Sequence, residues 1–237
     1  ATSSMAREAD VALTTQAGVE KAIPATKSFT TQLLLLAVLA EQAAAQRGLP
    51  AVGLEKVVPQ IITQMRAWLP RWQQVVAVAA GRLQAAETFL FLGRGVHYAI
   101  AREGALKLKE SSYIHAEGYP SGELKHGPNA LVGTKTPLVM LATVDHNDAE
   151  SVLRYEKVMQ LMQDMRAQGA PILAIANEGD VQAAALADAI VEVPVAPEHL
   201  LPILEVVPLQ LFAYFMAIGR GIDVDKPRNL VKSVVVE

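Results

Sequence analysis

The sequence contains no cysteine, few aromatic residues and no long hydrophobic run. The absence of cysteine excludes disulfides, thiol nucleophiles and cysteine-ligated zinc. It also favours a reducing compartment, so we expect a cytoplasmic protein. The longest apolar run, LLLLAVLA at 33–40, is far shorter than the roughly 20 residues that span a bilayer, so we expect no membrane segment.

Charge is also sparse. Charged residues make up 19% of the chain, and the net charge is −3. A negative protein is not drawn to nucleic acid or to an anionic membrane surface, so we expect neither as a partner. The histidines and carboxylates show no spacing that is typical of a metal site. We therefore expect no metal ion and no other cofactor.

The second part of the chain alternates strand patterns with helix patterns. Buried-strand patterns occur at 88–95, 136–145, 170–180 and 189–195. Helix patterns begin at Val96, at 148 and at about 200. Alternating strands and helices are typical of a parallel sheet that is covered on both faces. The sequence therefore predicts an α/β fold with a doubly wound parallel sheet flanked by helices.

The first part of the chain is predicted to be mostly helical. Residues 9–15 predict a short strand, and a helix capped near Thr26 or Ser28 follows it. A long helical pattern over 54–85 is expected to be interrupted by its two prolines.

A faint internal repeat indicates how these parts are organised. The pairs Ala9-Asp10 and Gln32-Leu33 are spaced like the pairs Ala187-Asp188 and Gln210-Leu211. We therefore expect the end of a first α/β domain, whose remainder lies upstream of Ala1, followed by a complete second domain. The predicted boundaries are 1–50 for the end of the first domain, 51–85 for a connecting helical segment, 86–222 for the second domain and 223–237 for a tail.

The stretch KLKESSYIHAEGYPSGELKHGP, Lys107–Pro128, concentrates charge in this mostly apolar chain. Helical spacing places four residues on one face: Glu103, Lys107, Glu110 and Ile114. The opposite face carries small or apolar residues that are expected to pack against the sheet: Ala101, Ala105, Leu108 and Ser112. The charged row is either a solvent-exposed face with Glu–Lys pairs or part of a functional site.

A glycine-rich loop after this helix favours a site. GYPSGELKHGP contains Glu123, Lys125 and His126, and ligand sites of α/β proteins form in loops at the carboxyl end of the sheet. A carboxylate, an ammonium and an imidazole together suit proton transfer next to a carbonyl group. The turn GRG at 93–95 could bind a phosphate group. TKSFTTQ at 26–32 is either an anion-binding helix start or an ordinary helix cap.

Three motifs, in order, resemble one enzyme family. GVEKAIPATKSFTTQ, FLGRGVHYAIAREGALKLKESSYIHAEGYPSGELKHGP and DVDKPRNLVKSVVVE are similar to the isomerase part of the glutamine:fructose-6-phosphate aminotransferases, the glucosamine-6-phosphate synthase family. The resemblance implies sugar isomerase (SIS) domains, namely the C-terminal part of a first domain and the whole of a second. It also implies a homodimer that makes glucosamine 6-phosphate from fructose 6-phosphate.

The same resemblance implies which residues act. Glu110 matches the base that moves a proton between C1 and C2 of the bound sugar, and Lys107 matches the lysine beside it. His126 matches a histidine that opens the sugar ring and reaches the site of the neighbouring subunit. Lys232 matches a tail lysine that contacts the open-chain sugar and can form an imine with it. The segment that lines the sugar site in the family contains Glu20, Ile23 and Ala25.

Two parts of the family's pattern have no match in these residues, the Ser/Thr-rich phosphate loop SxSGET and the cysteine-led glutaminase domain. This chain alone is therefore expected to bind sugar phosphate weakly and to take no ammonia from glutamine. Two alternatives stay open. One is a stand-alone SIS-domain deaminase or deglycase of aminosugar phosphates, against which the closing DKPRNLVKSV favours the synthase. The other is a non-catalytic regulatory module that binds sugar phosphate, which would need no proton-transfer base.

Overall fold

The computed structural model describes residues 3–50 and 53–232, and its centre is a five-stranded sheet. The strands are β1 (Thr88–Gly93), β2 (His115–Pro120), β3 (Leu138–Ala142), β4 (Ile172–Asn177) and β5 (Ala189–Val193). They lie in the order β2-β1-β3-β4-β5, and every neighbouring pair is parallel. The chain winds to one side of β1 and then to the other from β3 onward. The predicted doubly wound parallel sheet is therefore confirmed.

Seven helices accompany the sheet in the described part of the chain. They are α1 (Ser4–Glu8), α2 (Lys27–Gln46), α3 (Leu54–Leu83), α4 (Val96–Ser112), α5 (Ala149–Ala167), α6 (Val181–Leu186) and α7 (Leu201–Gly219). Short 3₁₀ turns lie at Leu124–His126, Pro128–Leu131 and Glu198–Leu200. The helix patterns that begin at Val96, at 148 and at about 200 correspond to α4, α5 and α7.

The two faces of the sheet are covered by different helices. Phe89 and Phe91 of β1 belong to a core that they share with α3, α4 and α7. Leu90 and Leu92 alternate with them and belong to a second core, shared with α5 and α6. All four side chains are buried, as expected for a central strand of a covered parallel sheet.

The long helix α3 is one continuous element of 30 residues, although Pro59 and Pro70 lie within it. The predicted interruption is therefore wrong. A proline inside a helix costs about 3 kcal/mol, and the burial of apolar side chains along α3 offsets that cost. One of these side chains, Trp72, also donates a hydrogen bond from Nε1 to the carbonyl of Glu192 on β5, at 2.7 Å, which fixes α3 to the sheet.

The sequence pattern does not predict β2. Its residues, HAEGYP, include glycine and proline and no β-branched side chain. Proline is tolerated here because β2 is an edge strand. Gly118 lets α4 approach closely, since a Cβ at this position would lie 2.7 Å from the Cα of Arg102.

The predicted strand at 9–15 is wrong. These residues form no strand, and Val11 and Leu13 are exposed. A strand needs a neighbour that takes up its backbone hydrogen bonds, and none of the described strands pairs with this segment. The repeat therefore has a strand only in its second copy, where β5 begins directly after Asp188.

Among the described residues, two segments have the length and composition of membrane-spanning helices, α2 and Glu198–Gly219. In the second, 67% of the apolar window is buried inside the protein, which is the behaviour of a core helix. None of the α2 residues is fully buried, but Phe29 and Leu33 pack partly buried against the core that contains α7. Length and composition alone are weak evidence of a membrane span.

Candidate active site

Three charged residues of α4 meet in one row, as the helical spacing predicts. Nζ of Lys107 lies 2.6 Å from Oε2 of Glu110 and 3.4 Å from Oε1 of Glu103. The Lys107 side chain is only 4% exposed, whereas that of Glu110 is 23% exposed. Burial raises the pKa of Glu103, Lys107 opposes that rise and the charge of Glu110 adds to it. The interpretation of this row as a solvent-exposed face is therefore wrong, because its lysine is removed from water and depends on the two carboxylates.

The opposite face of α4 holds this row in place. The predicted packing face is buried in full at Ala101, Ala105, Leu108 and Ser112. The hydroxyl of Ser112 donates to the carbonyl of Leu108 at 2.6 Å, and the helix ends there. Tyr113 follows in the left-handed conformation, with φ 60°. Ile114 therefore lies beyond the helix and does not continue the charged row, contrary to the predicted spacing.

A cavity of about 80 Å³ adjoins the row. Its walls come from four stretches that are distant in sequence, namely the segment 22–26, α4, α7 and the tail. Lys107 lines it from α4, and Gln210 and Tyr214 line it from α7. The Gln210 amide also donates to the carbonyl of Thr26 at 3.3 Å, which joins α7 to the start of α2. Ligand pockets are usually about 300 Å³ or larger, so this cavity alone is too small for a sugar phosphate.

Glu20 shapes the segment that forms part of this wall. Its carboxylate accepts hydrogen bonds from the backbone N–H groups of Thr26, at 3.0 Å, and Ser28, at 3.2 Å, and from both hydroxyls. The carboxylate thus caps α2, whereas Thr26, which occupies the N-cap position, makes no side-chain capping bond. Burial would raise the pKa of Glu20, but the hydrogen bonds from Ser28 and Thr26 lower it to about 2. Both oxygens of Glu20 are therefore engaged within the protein.

Replacing Glu20 with Ala is expected to lower the free energy of unfolding by about 1 kcal/mol, as is typical for a lost helix cap. Because the folded pKa is depressed, the stabilisation is present above pH 4.5 and is lost as the pH falls towards 2. Urea unfolding at pH 7 and pH 3 measures both effects. The matched control is Glu156→Ala on the exposed surface of α5, which should change the free energy by less than about 0.5 kcal/mol. Equal losses in the two variants would contradict the capping role.

Lys232 reaches the same segment from the tail. Its Nζ donates to the carbonyl of Ala22, at 2.6 Å, and lies 3.3 Å from that of Ile23. Ala22 lines the cavity, so Lys232 contacts the backbone of a segment that forms part of the cavity wall. Ala25 is half-buried in the same segment. Residues 233–237 of the predicted tail lie outside the described residues.

The structure does not bring His126 to this cavity. His126 is exposed and ends a 3₁₀ turn that follows β2, at the carboxyl edge of the sheet. α4 begins at that edge and runs away from it, so Glu110, about 14 residues into the helix, lies about 20 Å further along its axis. The hypothesis that carboxylate, ammonium and imidazole meet at the carboxyl end is therefore wrong within one chain. Lys125, in the same turn, pairs with Asp164.

A family model described as the SIS domain matches residues 82–220, which is more than half of the chain. The chain belongs to the SIS domain family. The isomerizing glutamine–fructose-6-phosphate aminotransferase of Caldanaerobacter subterraneus subsp. tengcongensis is 42% identical to it, over 99% of this chain and 38% of that protein. The same enzyme of Thermus thermophilus is 44% identical over 99% of this chain, again 38% of its own length.

Solved SIS-domain structures agree with this assignment. The C-terminal domain of glucosamine-fructose-6-phosphate aminotransferase from Francisella tularensis superposes with a TM-score of 0.84 and 35% identity, over 95% of this chain and 62% of that one. Glucosamine-6-phosphate deaminase from Thermotoga maritima gives a TM-score of 0.70 and 29% identity, over 99% of this chain and 64% of that one. The motif resemblance to the isomerase part of the aminotransferases is therefore confirmed. The chain spans 38% of the length of these curated relatives.

At the carboxyl edge of the SIS domain, a buried histidine lies between two buried carboxylates. Nε2 of His97, in the first turn of α4, lies 3.2 Å from Oε1 of Glu198, and Nδ1 lies 2.7 Å from Oε1 of Glu205. Burial would lower the pKa of His97, but Glu205 and Glu198 raise it to about 10. Burial would raise the pKa of Glu198, but His97, Ser151 and Arg154 lower it to about 2. His97 and Glu198 are therefore both charged at neutral pH.

The cluster lies at the carboxyl edge of the sheet, because His97 comes shortly after β1 and Thr143, whose hydroxyl donates to Glu205, comes directly after β3. Doubly wound folds usually bind ligands at this edge. Nε of Arg154 donates to Glu198 at 2.8 Å. The same arginine covers the turn GRG, because its Cδ lies 2.7 Å from where a Cβ on Gly95 would be. Beside the turn GRG, His97 and Arg154 therefore pair with the carboxylate of Glu198. The sequence had suggested a bound phosphate group at this turn. No local sequence pattern indicates this cluster, since the two carboxylates lie about a hundred residues after His97.

Four further cavities of the SIS domain are lined by neither Lys107 nor Glu110, and one of them, of about 340 Å³, is lined by Glu103 from the charged row. One of about 610 Å³ lies at the amino edge of the sheet beside Arg82 and Lys135, and one of about 310 Å³ lies between α3 and β5. Neither is lined by the charged row of α4 or by the segment 20–26. Within residues 3–50 and 53–232, no group of three or more His, Cys, Asp or Glu side chains is arranged to hold a metal ion.

Proposed function

We propose that this chain forms the proton-transfer half of the sugar-phosphate isomerase site of a glutamine:fructose-6-phosphate aminotransferase. The observation that carries the proposal is the Lys107–Glu110 pair beside a cavity that Lys232 also approaches. A purely structural ion pair needs no cavity. Proton transfer next to a carbonyl needs a positioned acid or base and also a cavity that holds the substrate. The names of the relatives at 42% to 44% identity support this reaction over other sugar chemistry.

Glu110 is the proposed base. Ammonia condenses with the C2 ketone of fructose 6-phosphate to form an imine, and the ketone oxygen leaves as water. The carboxylate then takes a proton from C1, next to the C=N bond, while the nitrogen gains one. The carboxylate returns its proton to C2, and the O1 proton leaves as the C1 aldehyde forms. One carboxylate serves both steps because the two carbons are adjacent. Lys107 holds Glu110 in position, and Glu103 keeps Lys107 paired.

Lys232 and His126 have proposed roles at opposite ends of the fold. Lys232 contacts the open-chain sugar, as an ammonium or through an imine, from its position on the carbonyls of Ala22 and Ile23. His126 opens the sugar ring in the site of a neighbouring subunit, because its exposed position far from Glu110 suits a partner and not its own chain. We therefore infer a homodimer. The remaining proposed sugar-binding residues, Glu20, Ile23 and Ala25, lie in the segment whose Ala22, Pro24 and Thr26 line the cavity.

The proposed organisation keeps the predicted boundaries. Residues 1–50 end a first SIS domain, 51–85 connect, 86–222 form the second SIS domain and 223–237 form the tail. The phosphate group would lie outside the cavity beside Lys107, since that cavity has only about 80 Å³. The proposed location is the cytoplasm.

Two other functions receive less support. A deaminase of aminosugar phosphates would use the same proton transfer in the reverse direction, but the deaminase structure is 29% identical to this chain whereas the aminotransferases reach 44%. A regulatory module that only binds sugar phosphate would have no use for a carboxylate held against a buried lysine.

Solvent exchange tests the proposal. The complete protein is incubated with fructose 6-phosphate in D₂O without glutamine, and deuterium at C1 and C2 is followed by NMR. We expect steady incorporation of deuterium that depends on enzyme concentration. Binding without any exchange would overturn the isomerase function in favour of a regulatory module. With ammonia present, formation of glucosamine 6-phosphate supports the synthase, and its net consumption supports the deaminase.

A further inference from the structure

The tail that carries Lys232 folds back onto the C-terminal end of α4. After α7 the chain turns at 223–226, where the backbone N–H of Lys226 donates to the carbonyl of Asp223 at 3.2 Å. Pro227 is buried, and Arg228 then lies against Tyr113. The tail is thus fixed to the same helix that bears Lys107 and Glu110.

Tyr113 occupies an unusual backbone position for an aromatic residue. It is the C-cap of α4 with φ 60° and ψ 20°, and its N–H donates to the carbonyl of Lys109 at 3.1 Å. When the residue that ends a helix has the left-handed backbone conformation, it is usually glycine, because a Cβ is strained in that conformation. A tyrosine at this position therefore needs a compensating contact made by its side chain.

Two contacts join Tyr113 to Arg228. The backbone N–H of Arg228 donates to the Tyr113 hydroxyl at 2.7 Å. The guanidinium carbon of Arg228 lies 4.3 Å from the centre of the Tyr113 ring, which is a cation–π contact. The next residue, Asn229, is also left-handed with φ 61°, so the chain turns sharply there towards the segment 22–23.

We propose that Tyr113 is a positioning residue that fixes Arg228 and thereby places Lys232 at the candidate sugar site. Lys232 follows Arg228 by four positions, so a fixed Arg228 confines the Cα of Lys232 to within about 14 Å of the Arg228 Cα. Lys232 then needs only two carbonyl acceptors, on Ala22 and Ile23, to hold its Nζ at the cavity. The sugar-related part of this inference rests on the proposed function, whereas the attachment of the tail does not.

Hydrogen exchange at the Arg228 amide tests the attachment directly. In the complete protein, Tyr113→Phe removes only the hydroxyl acceptor and keeps the ring, so the exchange rate of this amide should rise about tenfold. Tyr113→Leu also removes the ring and should increase exchange further, over 228–232. The control is Tyr98→Phe, because Tyr98 lies on the same helix and carries its own arginine, with the Arg102 guanidinium carbon 5.9 Å from the ring. Wild-type exchange at Arg228 in Tyr113→Leu would overturn the proposal.

Steady-state kinetics test the positioning of Lys232. If the tail is in place for only part of the time, the apparent affinity for fructose 6-phosphate falls in proportion to that fraction. The complex that does form still carries out the reaction, so kcat changes little. We expect Tyr113→Leu to raise KM five- to tenfold and to change kcat by less than twofold. A general loss of structure would instead lower kcat together with the melting temperature. An unchanged KM despite a loosened tail would overturn the positioning role.

A double-mutant cycle separates this role from other effects of Tyr113. In a Lys232→Met background the tail has no ammonium to position, so adding Tyr113→Leu should leave KM unchanged. An additional five- to tenfold rise in that background would contradict the proposal. A wild-type protein without activity on sugar phosphates would refute the proposed function, and the exchange rates at Arg228 would still decide whether Tyr113 holds the tail.

Discussion

Replacing Glu110 with Gln is expected to lower exchange of the C1 and C2 protons with solvent by about 10²–10⁴-fold, the usual contribution of a positioned general base. Gln has nearly the same shape but cannot accept the proton. The fold should survive, because Lys107 keeps Glu103 as a carboxylate partner at 3.4 Å. Binding of sugar phosphate, measured by calorimetry, should change only a few-fold.

The matched control for this variant is Glu117→Gln. Glu117 is a half-buried carboxylate on β2 whose recorded partners are Tyr119 and His115, and neither lines the cavity. The Glu117→Gln variant should exchange the C1 and C2 protons of the sugar with solvent at a rate within about twofold of the wild type. Exchange in Glu110→Gln at a rate similar to that of this control would remove Glu110 from the role of base. A loss of sugar-phosphate binding together with exchange would show that Glu110 holds the substrate and would leave the base unassigned.

Replacing His97 with Leu is expected to lower the free energy of unfolding by about 3–5 kcal/mol, the cost of breaking a buried charge pair. The variant leaves Glu205, which is 0% exposed, with the hydroxyl of Thr143 as its remaining recorded partner. Glu198 loses one cation but keeps Arg154. Urea or guanidinium unfolding measures the difference. His199→Ala is the control, because His199 is exposed and should contribute less than about 0.5 kcal/mol.

A second variant identifies the cause of that loss. Replacing Glu205 with Leu in the His97→Leu background removes the uncompensated carboxylate, so about 2 kcal/mol should be recovered. If the double variant is instead less stable than His97→Leu, the loss comes from packing and not from the unpaired charge. A loss below about 1 kcal/mol in His97→Leu would contradict the charge cluster itself.

The pH dependence of this stabilisation has a defined sign. The folded pKa of His97 is raised to about 10, so its contribution is complete below pH 6.5 and is lost gradually as the pH rises towards 10. The folded pKa of Glu198 is lowered to about 2, so its contribution is complete above pH 4.5 and is lost as the pH falls towards 2. The stability difference between wild type and His97→Leu should therefore be largest between pH 4.5 and 6.5 and should shrink at alkaline pH.

Local sequence patterns predicted the sheet and the helices around it because those elements have strong periodicity. The four predicted strand patterns, which correspond to β1, β3, β4 and β5, and the helices α4, α5 and α7 are confirmed. β2 escaped prediction because its place depends on a neighbouring strand and on the close approach of α4 at Gly118. The strand at 9–15 was wrong for a related reason, since its apolar residues suit a strand but have no described partner.

The sequence also predicted some features of the candidate site and missed others. Helical spacing correctly placed Glu103, Lys107 and Glu110 in one row, because the three residues share one regular element. It could not show that Lys107 is buried, since its cover comes from α7 and from the segment 22–26. The capping of α2 by Glu20 was also invisible, because it depends on a loop conformation that periodicity does not encode.

His126 ends an exposed 3₁₀ turn at the carboxyl edge of the sheet, about 20 Å along the axis of α4 from Glu110. At that distance it can reach a reacting sugar only in the site of another subunit. If His126 acts in the partner's site, its position depends on the contact surface between the subunits, and specific activity should fall when the protein is diluted below the dissociation constant of the dimer.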